Sequence, residues 1–267
     1  MVASAPAYRA SDGAAYDRFL GRWSRRLAGP FIDFARLPPY GPVLDVGCGT
    51  GSLAAMLTAR APERTIVGAD LSPSYLEQAR RNAPNGLYTA ADAGRLALRD
   101  MAFAASLAQL VLNFVPDPAV AVAEMRRVTR LGGTVAASVW DFRGGLVYQR
   151  LFWDTAACID EGAARARDRL FATPLATADG LVRLWTEAGL TEVVTEPITI
   201  RMDYESFEDY WQPLLGGQGP VGVYVTGLDD SRRALVRERV RLAYLAGGGD
   251  GVRSMAATAW AVRGIVG

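Results

Sequence analysis

The stretch Val43-Leu44-Asp45-Val46-Gly47-Cys48-Gly49-Thr50-Gly51 decides how the rest of this chain is read. Its apolar start predicts a short buried strand. The glycines predict a loop, and Leu53, Met56 and Leu57 mark the apolar side of a following helix. Gly47, Gly49 and Gly51 carry no Cβ, so the chain can turn sharply there and a ligand can lie against its backbone. The amides that open the next helix would then point at that ligand. A nucleotide-like cofactor is the expected occupant; a plain strand-to-helix turn with spare glycines is the alternative.

The spacing separates two kinds of cofactor loop. A dinucleotide-binding G-x-G-x-x-G would place its third glycine at position 52, which is Ser52. Here the pattern is G-x-G-x-G, with an acid inside the strand just before it. The string D-V-G-C-G-T-G closely resembles the first motif of the class I S-adenosylmethionine-dependent methyltransferases, of the small-molecule type. In that family the loop holds the methionine part of the cofactor, and the preceding acid helps fix the loop and the cofactor's amino group. Asp45, Gly47 and Gly49 carry this over, with Cys48 between the two glycines. The resemblance implies an α/β, doubly wound, Rossmann-like fold: a seven-stranded, mostly parallel sheet with an antiparallel last strand, an N-terminal helical lid and a helical insertion. It also implies methyl transfer from S-adenosyl-L-methionine to an O, C or N atom of a small molecule.

Composition narrows the chemistry independently. Among 267 residues there is no His, and all 29 basic side chains are Arg. A Ser-His-Asp triad, a His-ligated zinc, a Lys Schiff base and a P-loop lysine are therefore excluded. A general base has to be Asp, Glu, Tyr or a thiolate; Asp141, Tyr148 and Glu208 are candidates. A net charge of +1 without a basic run argues against nucleic acid as a partner. The two cysteines, Cys48 and Cys158, do not make a disulfide framework. Met1 to Arg9 lacks the pattern of a secretory signal, and the apolar stretch 101–115 is too short to span a bilayer and contains Gln109 and Asn113. A cytoplasmic protein acting on a small-molecule acceptor is expected, with a homodimer left open and no metal site read from the spacing.

The rest of the chain supplies further candidates. Residues 1–14 read as small, polar and loosely held. From 15 to 37, Tyr16, Phe19, Leu20, Trp23, Leu27, Phe31 and Phe34 recur at helical spacing, with a break or kink expected at Gly29-Pro30. An amphipathic helix covering the sheet is one reading. The resemblance implies instead a lid whose Tyr or Arg meets the methionine carboxylate, which makes Tyr16 and Arg22 candidates. Residues 65–70 read as strand two, and Asp70 stands nineteen residues beyond Gly51, close to the spacing of a ribose-binding acid. By resemblance, Leu71 packs on the adenine. Ser72 caps a helix that starts at Pro73 and runs to Asn82. Strand three, 87–91, ends at Asp92-Ala93, and in the family an acid there accepts from the adenine amino group. Strand four, 103–110, brings Ala108 and Gln109 to the place where the family contacts the methyl-bearing part of the cofactor, with Asn113 turned toward substrate. A helix over 119–130, closed by Leu131-Gly132-Gly133, leads to strand five at 134–140.

Five strand–helix steps predict a parallel sheet with every strand's C-terminal end on one edge, where ligands of such sheets bind. The expected organisation is a single domain over 1–267: a cap at 15–37, a cofactor-binding core at 43–140, and substrate-side insertions at 142–172 and 204–246. Two other readings share the sheet. A nicotinamide-dependent oxidoreductase would keep the ribose acid, but Ser52 and the absence of a Tyr-x-x-x-Lys pair argue against it. A non-catalytic S-adenosylmethionine-binding protein would keep the loop and lack an acceptor pocket.

Overall fold

The computed structural model describes residues 12–267; the expectations for Met1 to Ser11 lie outside the described residues. A seven-stranded sheet in the order β3-β2-β1-β4-β5-β7-β6 organises the chain. It is built from β1 (Val43–Val46), β2 (Ile66–Asp70), β3 (Leu87–Ala90), β4 (Phe103–Gln109), β5 (Thr129–Trp140), β6 (Leu190–Tyr204) and β7 (Arg253–Val266). The first five pair in parallel, whereas β7 runs antiparallel between β5 and β6. The expected mostly parallel sheet with an antiparallel last strand is what forms. Strand order reverses between β1 and β4, so a crevice opens where the chain leaves β1 for the glycine loop.

Each face of the sheet carries its own apolar layer. On one face α5 (Pro118–Val128) and α8 (Ala178–Glu187) supply Val122, Met125, Leu184 and Trp185 against Leu44, Val46 and Val139. The Trp185 indole donates to the Val135 carbonyl at 3.0 Å, so its one polar atom is satisfied in the core. On the other face α2 (Arg22–Ala35), α3 (Ser52–Arg60) and α6 (Val147–Ala157) bring Leu27, Phe31, Leu53, Phe152 and Trp153 against Leu107, Trp140 and Ala259. Side chains alternate across each strand, so Leu107 and Ala108 serve opposite layers.

The N-terminal cap is α1 (Gly13–Tyr16), a π-helical turn (Asp17–Gly21) and α2 in succession. Asp12 caps it by accepting from the Ala15 amide at 3.0 Å, so the helix begins inside the stretch expected to be loose. Pro30 sits within α2 and the helix continues to Ala35; the break expected at Gly29-Pro30 does not occur. The stop expected at Leu131-Gly132-Gly133 is also misplaced. Helix α5 ends at Val128, because Thr129 turns extended and its hydroxyl takes the Met125 carbonyl at 2.7 Å. The three residues lie instead in β5, where the pairing with β4 shifts register.

Helix α4 (Pro73–Asn82) starts as its sequence predicts, with the Ser72 hydroxyl accepting from the Tyr75 amide at 3.3 Å. Beyond β5 the stretch read as one helical run divides into α6 and α7 (Glu161–Phe171), because Asp160 caps a new helix by accepting from Gly162 N at 2.8 Å. Between β6 and β7 lie α9 (Phe207–Trp211), α10 (Gly219–Thr226) and α11 (Asp230–Leu245). No helix among the described residues is long and apolar enough to cross a membrane.

Candidate active site

The loop after β1 is pinned to the end of β2, with Gly47 N and Cys48 N both donating to the Ala69 carbonyl at 2.7 and 3.0 Å. Gly47 and Gly49 adopt φ of +65° and +54°, a left-handed conformation that disfavours other residues. The two serve different ends. A Cβ on Gly47 would lie 2.4 Å from Val111 Cγ2, so Gly47 lets the segment after β4 approach closely. A Cβ on Gly49 would meet nothing within 4 Å, so bare backbone forms the wall of the crevice there.

Asp70 ends β2 and holds this loop from outside. Its Oδ2 accepts from Gly49 N at 2.9 Å and its Oδ1 from Ser72 N at 2.8 Å. A carboxylate has about four lone-pair positions, so capacity remains for a ligand's hydroxyls. Burial raises the Asp70 pKa, opposed by the amides of Ser72, Gly49 and Leu71.

Asp45 is an electrostatic anomaly. It is 1% exposed, and neither carboxyl oxygen has a hydrogen-bond partner. Burial, then the negative charge of Asp70, push its pKa up to about 8; the nearby Ala54 N–H, outside hydrogen-bond geometry, offsets this only in part. A buried carboxyl with no partner is costly, and it is the kind of group that a ligand cation neutralises. A small hollow, with a cavity volume of about 30 Å³, lies against it, lined also by Tyr16, Cys48, Ser52 and Gln109. The Ser52 hydroxyl and the Gln109 Oε1 are likewise buried without partners. Three unsatisfied polar groups around one hollow make a polar receptor inside an apolar fold.

The hollow shares Tyr16, Gly47, Gly49 and Gln109 with a larger adjoining crevice, whose cavity volume is about 170 Å³. Asp70, Leu71, Asp92 and Ala93 line it at the ends of β2 and β3, with Gln109 at the end of β4. Leu71 is 66% exposed, an apolar side chain open to the crevice. Asp92 is exposed and accepts from Gly94 N at 2.8 Å through Oδ1. Gln109 donates to the Ser24 carbonyl at 2.9 Å, which ties the cap to the sheet edge. From the cap, Tyr16, Phe19 and Leu20 share one helical face over the opening.

Of the sequence candidates, Tyr16, Asp45, Gly47, Cys48, Gly49, Asp70, Leu71, Asp92, Ala93 and Gln109 line this connected space. Two do not. Arg22 is six residues from Tyr16, so it points off a different side of the helix. Its guanidinium pairs with Asp209 at 3.0 Å and lies 4.3 Å over the Trp23 ring. Ala108 is fully buried in the opposite apolar layer, because strand alternation sends Gln109 and not Ala108 to the crevice.

The substrate-facing guesses fare similarly. Asn113 is buried away from the crevice lining. Asp141 accepts from Arg143 N and Gly144 N in a turn, Tyr148 lies in the core with its pKa raised by burial, and Glu208 pairs with Arg237. None of these three lines the crevice.

Sequence reasoning missed Asp17. This carboxylate accepts from Thr50 Oγ1 of the glycine loop at 2.5 Å, and from Asn82 and Gln78 of α4 at 2.8 and 3.4 Å. It fastens the cap to both elements that frame the loop. A polar residue on an otherwise apolar helical face was the available signal. Trp140, Phe142 and Gln149 from the β5–α6 region and Pro220 from α10 also line the crevice and were not singled out as site residues.

A doubly wound sheet of this order, with a glycine loop after β1 and acids ending β2 and β3, is a nucleotide-cofactor fold of the class I methyltransferase type. Residues 44–137 match the family model described as Methyltransferase domain. The trans-aconitate 2-methyltransferase of Methylobacterium nodulans is 35% identical over 136 residues, covering 49% of this chain and 50% of that protein. The demethylmenaquinone methyltransferase of Thermus thermophilus is 39% identical over 142 residues, 49% of this chain and 61% of the relative. The chain thus spans about half the length of the curated relatives it matches first. Among solved structures, the phosphoethanolamine N-methyltransferase 2 of Haemonchus contortus, bound to phosphomonomethylethanolamine and S-adenosylhomocysteine, shares the fold. Its TM-score is 0.57 at 14% identity, over 95% of this chain and 56% of that one. Residues 44–137 thus match a methyltransferase domain, within a fold that the chain shares with solved methyltransferases.

The residues present fit that family's cofactor. The unpartnered Asp45 carboxyl suits an ammonium, the open face of Gly49 suits a ligand against bare backbone, and Asp70 retains acceptor capacity for hydroxyls.

Proposed function

We propose that this protein is an enzyme that transfers a methyl group from S-adenosyl-L-methionine to a small-molecule acceptor. The observation that carries the reading is the buried, unpartnered Asp45 carboxyl beside the Gly47–Gly51 loop, in one connected space with Asp70 and Asp92. Asp45 and the loop would hold the amino-acid end, Asp70 the ribose and Asp92 with Leu71 the adenine. When bound, the cofactor supplies a methyl on a sulfonium whose transfer leaves the electron pair on sulfur.

The chain's own contribution is placement. Gln109 and the loop backbone set one wall, while Tyr16, Phe19 and Leu20 cover the opening and exclude water. Alignment of this kind is worth roughly 7–11 kcal/mol of a barrier. No His or Lys exists to serve as base, and the sequence-derived base candidates lie off the crevice. An acceptor that ionises before the cap covers it needs no base from the chain. A cytoplasmic location and action as a monomer or homodimer complete the reading; cell fractionation and sedimentation check them.

Calorimetric titration with S-adenosylmethionine, S-adenosylhomocysteine and NADH tests the proposal. Micromolar binding of the first two at one site per chain, with none of NADH, is expected. The reverse preference would favour the oxidoreductase reading. Cofactor binding without methyl transfer from labelled cofactor to a broad acceptor panel would favour the non-catalytic one.

A further inference from the structure

The crevice has two unlike ends. Toward β2 and β3 it is acidic and polar, as above. Toward the cap and the insertions it is walled by Phe19, Leu20, Trp140, Phe142 and Pro220, with Gln149 as the one amide. Trp140, Phe142 and Gln149 are 3%, 2% and 5% exposed, so this wall is set in the core and not on mobile surface side chains. Gln149 donates to the Tyr148 hydroxyl at 2.9 Å, which fixes its orientation. The only cations the chain possesses are its arginines. Among the described residues none of them lines the crevice. Arg18, next to Phe19, is exposed and outside the lining, and Arg22, two residues beyond Leu20, is neutralised by Asp209 and stacked on Trp23.

That wall sorts acceptors by charge. A tricarboxylate or a phosphate ester would bury several negative charges with no protein cation to pair them and only the cofactor's single sulfonium beside them, a severe penalty in an apolar space. Asp70 and Asp92 would add repulsion. A flat aromatic molecule with one hydroxyl group loses little on entering, stacks on Trp140 and Phe142 and can bond Gln149.

We propose that the acceptor is an apolar, aromatic hydroxyl compound of at most one charge, seated between Trp140, Phe142 and Leu20 with its polar group toward Gln149. This rests on the methyltransferase reading and narrows it. It departs from the acid named for the trans-aconitate 2-methyltransferase relative, as a chain that shares only half that protein's length can.

The test uses the full chain saturated with S-adenosylhomocysteine and reads binding of 1-naphthol, trans-aconitate and phosphoethanolamine by calorimetry and tryptophan fluorescence. Naphthol is expected to bind at least tenfold more tightly than either charged probe. Trp140→Ala should weaken naphthol about tenfold and leave S-adenosylhomocysteine affinity within twofold, which also shows that the variant folds. Leu20→Arg, at a half-buried position, should reverse the preference toward trans-aconitate. Equal or tighter binding of trans-aconitate to the wild type, or naphthol affinity indifferent to both substitutions, overturns the acceptor proposal while the cofactor reading stands. Failure of S-adenosylhomocysteine itself to bind overturns both.

Discussion

Neutralising Asp45 by substitution or by pH should change cofactor binding in a way that few other side chains could. In the empty site its carboxyl holds a proton up to about pH 8, because burial and the neighbouring Asp70 charge disfavour ionisation. Pairing with the ammonium of the cofactor requires the ionised form. A free α-amino group has a pKa of about 8, so at pH 6 it is already charged and only Asp45 has to give up a proton. Binding at pH 6 should therefore release close to one proton per cofactor. The affinity should rise about tenfold between pH 6 and pH 7, or ~1.4 kcal/mol. It should level off near pH 8, where the free amine begins to lose its own proton. Calorimetry of S-adenosylmethionine binding in buffers of different ionisation enthalpy counts the protons directly. Asp45→Asn should abolish the release and the pH slope, and weaken binding by about 1.5–3 kcal/mol, the worth of a charged hydrogen bond. A flat affinity between pH 6 and 7 with no proton release in the wild type would refute the assignment of Asp45 as the ammonium partner.

The same shift has a consequence for the free protein. The folded pKa of Asp45 lies above its ordinary value of 3.8, so the folded chain holds a proton that the unfolded chain gives up; the contribution of this group to stability is complete below about pH 4 and falls as pH rises toward 8. Denaturant melts across that range should show the decline, with Asp70 acting in the same sense and Asp45→Asn reducing the slope. Asp70→Ala should cut cofactor affinity by roughly 1–3 kcal/mol and loosen the loop at Gly49; unchanged binding in a titration removes Asp70 from the site. Gly47→Ala meets both a clash with Val111 and a left-handed backbone, so about 1–3 kcal/mol of stability should be lost with most of the cofactor affinity, read by thermal melts and titration. Asp17→Ala removes the bonds to Thr50, Asn82 and Gln78, and hydrogen exchange over 13–21 should speed up at least tenfold; unaltered protection there would show that the cap is held by its apolar face alone.

What could be read from the sequence follows how far each signal reaches along the chain. The glycine loop and the acids that end β2 and β3 are local patterns whose meaning survives any tertiary arrangement, so Asp45, Gly47, Gly49, Asp70 and Asp92 reach one connected space. Position within an element is harder. Ala108 and Gln109 are neighbours in sequence and serve opposite faces of the sheet, a two-residue period that a motif cannot resolve. Arg22 has the right chemistry for a carboxylate, but helical phase directs it to Asp209, a partner 187 residues away. The end of α5 was obscured for a related reason: Thr129 stops the helix by a side-chain bond before the glycines are reached. The acceptor wall comes from β5, α6 and α10, elements joined only by tertiary packing; the aromatic-rich stretches 140–153 and 204–224 suit a small, partly aromatic acceptor, but the sequence does not say which of their side chains face the crevice.

The most direct test of the central claim is a crystal structure of the full chain with S-adenosylhomocysteine. The account predicts the amino group against Asp45, the ribose hydroxyls on Asp70 and the adenine between Leu71 and Asp92. An adenosyl group lying elsewhere, or Asp45 still without a partner beneath a bound ligand, would contradict it.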